Sequence, residues 1–329
     1  MEFIKQSGAK LSLCLKLMYN SIYEKQISLR SEIMKNVLFI TNPVAGTTKS
    51  RQAMYEVVNE FCKVGYDVTV KVTQYRGHAI ELASSAKEKG FDLVVCCGGD
   101  GTLNETMTGI VRSGSQIPIG YVPAGSTNDF ADNLGLNKLP ALAAKAIVKE
   151  EPHLLDVGCF NEKDYFSYVA SFGAFVDVSY SAPQDMKNTF GPLAYMVEAL
   201  KDIGNIKPHR VRVNTDDSSF YDAFIFGAIS NTKRMAGFLH IPVTDEELHD
   251  GLFEVLLVKY PRSVGEMNDI VLGVTTGEFR DNPMFTYTRS SRVELTMPKS
   301  IDWSLDGERK NGGSKITIVN KNNALTIFK

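Results

Sequence analysis

The stretch Val94-Val95-Cys96-Cys97-Gly98-Gly99-Asp100-Gly101-Thr102-Leu103-Asn104-Glu105 restricts this chain more than any other. Residues 93–97 form an apolar run that reads as a buried strand. Three glycines in four positions then let the backbone turn sharply and approach a ligand closely. Thr102 is placed to cap a helix that residues 103–111 predict. A strand, a glycine turn and a helix N-terminus together make a phosphate-binding edge, because free amide N–H groups and the helix dipole point outward there. Asp100 sits inside that edge. A carboxylate beside phosphates is repelled unless a divalent cation lies between them, so the stretch implies a nucleotide with magnesium.

The chain order around this stretch predicts an α/β unit. Residues 37–41, 66–72 and 117–122 read as further strands, and 50–64, 78–89 and 139–148 as helices. Strands alternating with helices at this spacing give a parallel sheet covered on both faces, with ligands bound beyond the carboxyl ends of its strands. The loops at residues 42–46, 98–101 and 123–127 then gather on one edge. Asp100 and Asp129 each follow a glycine-containing turn at the end of a neighbouring strand, so the two carboxylates can converge. After about residue 155 the pattern changes. Short runs rich in Val, Ile, Phe and Tyr, such as 166–171, 210–213, 224–230, 253–259, 292–297 and 315–319, are separated by Gly, Asp and Asn. That is the pattern of an antiparallel sandwich, interrupted by helices expected at 193–203 and near 265–275. The expected division is an extension at 1–34, an α/β domain at 35–155 and a β-sandwich domain at 156–329.

The Gly98-to-Gly101 turn with Asn104-Glu105 resembles the nucleotide motif of the diacylglycerol kinase catalytic domain of bacterial and eukaryotic lipid kinases. Phosphofructokinases and NAD kinases carry a related Gly-Gly-Asp-Gly turn. Three more motifs follow the lipid-kinase order: Asn42-Pro43 with Gly46, Gly125-Ser126-Thr127-Asn128-Asp129-Phe130, and Leu305-Asp306-Gly307-Glu308. The resemblance runs from about residue 35 to the end. It implies an NAD kinase- or phosphofructokinase-like α/β nucleotide domain, then a β-sandwich, with the active site in the cleft between them. ATP contacts are implied at Asn42, Pro43, Ala45 and Gly46, at Thr73, at Gly98, Gly99, Asp100, Gly101, Thr102, Asn104 and Glu105, and at Gly125, Ser126 and Asp129. Magnesium is implied at Asp100 and Asp129. The resemblance places the general base in the Asp306-Gly307-Glu308 turn and leaves open which acid serves. In bacterial members the loop matching residues 244–252 binds a structural magnesium. Here its ligands are expected to be Glu247, Asp250 and the carbonyl of Leu252. An Asp-Gly turn with solvated acids is the plain alternative for Asp306, as a solvated acidic turn is for residues 244–252. Phe172, Phe175, Phe238 and Trp303 are candidates for an apolar channel, although such residues are more often core.

The implied activity is transfer of the γ-phosphoryl of ATP, with magnesium, to the hydroxyl of a diacylglycerol-like lipid. Two alternatives stand beside it: a kinase of a soluble alcohol such as NAD, and a catalytically silent lipid-binding regulator. The intact acids at Asp100, Asp129, Asp306 and Glu308 weigh against the second. A formal net charge of −2 gives no reason to expect nucleic acid and no strong global attraction to anionic membranes, so membrane contact must be local. The five cysteines show no metal spacing, and adjacent Cys96 and Cys97 on a buried strand suit reduced thiols in a cytoplasm. His78, His153, His209 and His240 form neither a triad nor a zinc spacing. No apolar run is long enough to span a bilayer. A cytoplasmic enzyme touching the inner face of the membrane transiently is therefore expected. Within the extension, Leu11, Leu13, Leu15, Leu17, Met18 and Tyr23, with Lys10 and Lys16, offer an amphipathic contact. Antiparallel strand edges leave room for a homodimer.

Overall fold

A computed structural model describes residues 36–45, 49–125, 128–173, 207–235, 239–241, 243–244 and 246–328. The 1–34 extension, the helix expected at 193–203 and the candidates Gly46, Ser126, Phe175 and Phe238 lie outside the described residues.

The first half is the expected α/β unit. Strands β1 (Asn36–Thr41), β2 (Asp67–Val72), β3 (Leu93–Gly98) and β4 (Ile119–Pro123) are parallel, in the spatial order β2-β1-β3-β4. Strands β1 and β3 are apolar almost throughout because both sheet faces are covered. Their side chains divide by parity. Leu38, Ile40, Val94 and Cys96 enter one core with Leu103 and Met107, while Val37, Phe39, Leu93 and Val95 enter another with Val57, Phe61 and Ile147. Helices α1 (Lys49–Lys63) and α5 (Pro140–Lys149) cover the second face. On the first face lie α2 (His78–Ser84) and α3 (Asp100–Ser113), with the short helix α4 (Asp129–Leu134) beyond β4.

Two local expectations are corrected. The helix beginning at His78 ends at Ser84, short of Lys89. Ser84 and Ser85 turn their hydroxyls back onto the carbonyls of Ile80, Glu81 and Leu82, which competes with continuation of the helix. Helix α3 begins at Asp100 with Gly99 as its N-cap, so Thr102 lies inside the first turn and does not cap it.

The second half is antiparallel. It comprises β5 (Pro152–Phe160), β6 (Asp164–Phe166), β7 (Val169–Gly173), β8 (His209–Asn214), β9 (Ser219–Ser230), a two-stranded ribbon of β10 (Arg234–Met235) and β11 (Leu239–His240), β12 (Phe253–Lys259), helix α6 (Val264–Thr276), β13 (Phe285–Ser290), β14 (Arg292–Thr296), β15 (Asp302–Leu305), β16 (Glu308–Asn311) and β17 (Lys315–Phe328). Strand β17 links the two halves. Its first part pairs with β14, its length pairs with β5, and Ile327 bridges to Ile119 of β4. The two halves therefore share one continuous sheet. Phe172 and Trp303, candidates for a channel, are fully buried, with ring centroids 5.0 Å apart in the sandwich core.

Candidate active site

Two glycine turns meet at the carboxyl end of the parallel sheet. A Cβ on Gly125 would lie 2.6 Å from the Gly99 Cα, so the loops after β3 and β4 touch backbone to backbone. No other residue allows that approach. Asn128 locks the second loop. It holds a left-handed conformation (φ 55°), accepts a hydrogen bond from the Gly125 amide (2.9 Å) and donates its own amide to the Gly125 carbonyl (2.9 Å).

Asp100 and Asp129 converge across this contact. The Asp129 amide donates to Asp100 Oδ2 (3.0 Å) and the Phe130 amide to Oδ1 (3.3 Å), so Asp100 caps the N-terminus of α4 from another segment. The Asp129 carboxyl is pushed above the usual carboxylate range, first by burial and next by the negative charge of Asp100. Two acids held together in this way are stabilised by a cation. The donor chemistry, carboxylate oxygens at the lip of a glycine turn, fits magnesium.

The remaining nucleotide candidates divide. Asn42 donates to Thr102 Oγ1 (3.0 Å) and accepts from the Val44 amide (3.1 Å), joining the loop after β1 to the first turn of α3. Pro43 and Ala45 lie in that loop, whose turn is closed by the Ala45 amide on the Asn42 carbonyl (3.3 Å). Thr73 is buried just past β2, its amide donating to the Thr41 carbonyl (2.9 Å). Asn104 and Glu105 face protein instead of the turn. Glu105 accepts from the Gly77 amide (2.8 Å), and Asn104 donates to the Tyr165 carbonyl (3.0 Å) and to Asp306 Oδ2 (3.1 Å).

That last bond brings in the sandwich. Asp306 and Gly307 form the tight hairpin between β15 and β16, both at positive φ (48° and 84°), as Asp-Gly favours. Asp306 is not solvated, however. Only 7% exposed, it accepts from Ser167 N (2.5 Å), Ser167 Oγ (2.8 Å), Tyr168 N (3.0 Å) and Val169 N (3.0 Å) besides Asn104. Burial pushes its carboxyl above the ordinary range, and the Ser167, Val169 and Tyr168 donors pull it back. A carboxylate has about four lone-pair sites, so five donors leave Asp306 no position from which to take another proton.

Glu308, two residues on, is differently placed. Its Oε1 is 3.3 Å from the point a Cβ on Gly101 would occupy, and its Oε2 pairs with Arg76 Nη2 (2.7 Å). The hairpin thus separates the two acids. Asp306 turns inward as an anchor, and Glu308 reaches the nucleotide turn. Next to Asp306, whose partners Ser167 and Tyr168 form part of its lining, lies a small cavity closed also by Phe130, Asn133, Leu134, Leu155, Asn231, Thr232, Lys233 and Leu248.

The acidic loop closes around an arginine. Arg289 lies among Glu247, Asp250 and Glu254.

Of three further residues that shape the site, two carry no strong signal in sequence. Arg76 follows β2 in a turn that displays nothing unusual, and Ser167 is one of many serines. Asn128 is the exception, because a Gly-x-x-Asn loop after a strand is where a left-handed asparagine closes a turn.

Residues 36–160 match the family model for the diacylglycerol kinase catalytic domain, and residues 169–328 match the YegS C-terminal NAD kinase beta sandwich-like domain. The chain is 28% identical over 276 residues to a diacylglycerol kinase of Bacillus subtilis (strain 168), covering 84% of this chain and 90% of the relative. It is 29% identical over 274 residues to one of Staphylococcus epidermidis (strain ATCC 12228), covering 83% and 86%. Among solved structures, one chain from Bacillus anthracis superposes with a TM-score of 0.75 at 22% identity, covering 90% of this chain and 95% of that one. A diacylglycerol kinase from the same organism gives 0.69 at 19% identity, covering 90% and 97%. At these identities the superpositions carry the fold.

Proposed function

The chain belongs to the diacylglycerol kinase family of lipid kinases, and from that premise we propose that it transfers the γ-phosphoryl of ATP to the hydroxyl of a diacylglycerol-like lipid. In this reading residues 35–155 bind the nucleotide and residues 156–329 supply the acceptor-facing half. The observation that carries it is the approach of Glu308, from the sandwich, to Gly101, in the nucleotide turn. That approach sets an acid with an available oxygen at the phosphate edge.

The glycine turns and the N-terminus of α3 receive the phosphates. Asp129 and Asp100 would hold magnesium, which when bound offsets charge on the phosphates. Glu308 accepts the acceptor hydroxyl's proton as the new phosphorus–oxygen bond forms. Arg76 steadies Glu308 and presents a guanidinium beside the transferring group. Asp306 positions the hairpin through Ser167, Tyr168 and Val169. The cavity beside Ser167 and Tyr168 has room for about one water-sized group, so it borders the acceptor side of the site and does not itself hold the lipid. Among the described residues no helix is long and apolar enough to cross a membrane, and in this reading the enzyme reaches its lipid from the bilayer surface.

Purified chain with labelled ATP and magnesium, offered diacylglycerol, a sphingoid base, ceramide and a polyprenol in detergent micelles, tests the reading. Transfer to diacylglycerol above the others is expected. Transfer to NAD without detergent, or to none of these by folded protein, overturns it.

A further inference from the structure

The loop from Thr244 to Leu252 is where the family resemblance implies a structural magnesium, held by Glu247, Asp250 and the Leu252 carbonyl. The structure puts a side chain there. Arg289 on β13 lies directly across the ladder from Glu254 on β12. Its Nη1 is 3.3 Å from Glu247 Oε1, its Nη2 2.5 Å from Asp250 Oδ2 and its Nε 3.0 Å from Glu254 Oε1. The other oxygens of the two expected ligands are engaged by backbone. The Thr244 amide donates to Glu247 Oε2 (2.7 Å) and the Leu252 amide to Asp250 Oδ1 (2.9 Å). Three of the four carboxylate oxygens of Glu247 and Asp250 therefore accept hydrogen bonds from this chain, and the fourth, Glu247 Oε1, is ion-paired with the guanidinium.

Magnesium does not fit that arrangement. It demands near-octahedral oxygens at about 2.0–2.1 Å and gives up water reluctantly. A dication among these acids would also lie within a few ångströms of a permanently charged guanidinium. Arginine suits the place, because its planar fork offers several donors to several carboxylates at once. Among the described residues no group of three or more His, Cys, Asp and Glu side chains is arranged to hold a metal ion.

We propose that Arg289 stands in for the structural metal in this chain, as an internal cation that pins the 244–252 loop and makes the stability of the sandwich independent of divalent ions. The pinned segment has a defined task. Leu248, in the middle of the loop, is buried against the cavity, and its carbonyl accepts from Asn231 Nδ2 (2.9 Å). The Gly251 amide is tied to buried Asp156 (2.7 Å). The guanidinium therefore fixes one wall of the cavity. Only the consequence that this wall shapes the acceptor site rests on the kinase reading.

Thermal unfolding of the full chain without nucleotide, in chelator and in millimolar magnesium or calcium, tests the proposal. The chain carrying Asp129→Asn is run in parallel to silence the nucleotide site. The Asp129→Asn chain should unfold within about 1 °C of the same temperature in chelator and in metal, because a loop that binds no ion gains nothing by mass action, whereas a gain confined to the parent comes from Asp100 and Asp129. In the Asp129→Asn chain, Arg289→Met frees three acids and should lower the unfolding temperature by several degrees in chelator, with much of that loss restored by metal. Stabilisation of the Asp129→Asn chain by metal overturns the proposal, as does an Arg289→Met variant as stable in chelator as the parent. If Arg289→Met does not fold, Arg289→Lys, which keeps the charge and loses the fork, takes its place, and the Asp129→Asn comparison decides alone.

Discussion

Glu308 Oε1 lies 3.3 Å from the point where a Cβ on Gly101 would stand. The two residues come from different halves of the chain, and Gly101 lies in the first turn of α3 with no left-handed requirement. Alanine there suits the helix better by roughly 1 kcal/mol but forces the carboxylate to give by a few tenths of an ångström. Gly101→Ala should therefore keep or raise the unfolding temperature while lowering kcat by roughly tenfold or more. Calorimetry beside steady-state kinetics measures both. Unchanged kcat would place the working position of Glu308 elsewhere.

Asp306 should behave as an anchor. Replacing it with Asn removes the charge from a site of five donors and turns an NH2 group toward N–H groups. The expected loss of stability is about 3 kcal/mol, read from denaturant unfolding. Activity should fall with it, and Ser167→Ala, which removes one of the five donors, should show a weaker form of the same joint loss. Full stability with abolished activity in Asp306→Asn would make Asp306 the proton acceptor.

Much of this frame is legible in the residues themselves. The alternation through residue 148 and the glycine turn name a parallel sheet and its ligand edge, because buried parallel strands and phosphate-binding turns leave strong local patterns. The convergence of Asp100 and Asp129 follows from strand order. The parting of Asp306 from Glu308 does not, since it depends on a two-residue hairpin whose positive φ values a carboxylate and a glycine share. Arg289 is illegible for a different reason. It meets Glu247 and Asp250 only through the pairing of β12 with β13, a long-range contact that no local spacing encodes. The early end of α2 reflects competition between two serine hydroxyls and the backbone, which an alanine-rich segment masks.

Asp129 and Asp100 make a pair whose charges oppose each other. Because burial and Asp100 raise the Asp129 carboxyl above its ordinary range, its ionised form weakens the metal-free fold, and the stability it contributes at low pH is lost as pH rises through its folded value. Asp129→Asn should therefore unfold at or slightly above the parental temperature near neutral pH. The magnesium concentration needed for half-maximal activity should rise roughly tenfold or more. A titration of rate against magnesium at saturating ATP checks this.

Glu254 supplies a pH signature away from the site. Burial pushes its carboxyl from 4.5 up to about 7, against the pull of Arg289, which is shared among three acids. Among the described residues, its Oε2 and the hydroxyl of Ser230, opposite it on β9, have no hydrogen-bond partner. Below pH 4.5 both folded and unfolded chains hold the proton and the contribution is complete; it is lost as pH rises through about 7. Glu254→Gln carries no such charge. The parent should lose at most about 3 kcal/mol relative to the variant across that window, seen as unfolding curves that diverge with pH and then run parallel. Curves parallel throughout would mean that Glu254 is ionised in both states.

The central claim is that an acid from the sandwich completes a nucleotide site built by the α/β half. Phosphoryl transfer from labelled ATP to diacylglycerol in micelles, measured for the parent and Glu308→Gln with ATP affinity determined alongside, tests it most directly. The account predicts ATP affinity within about twofold of the parent and transfer reduced by roughly 100-fold or more. A Glu308→Gln protein that binds ATP and phosphorylates the lipid at the parental rate would contradict it.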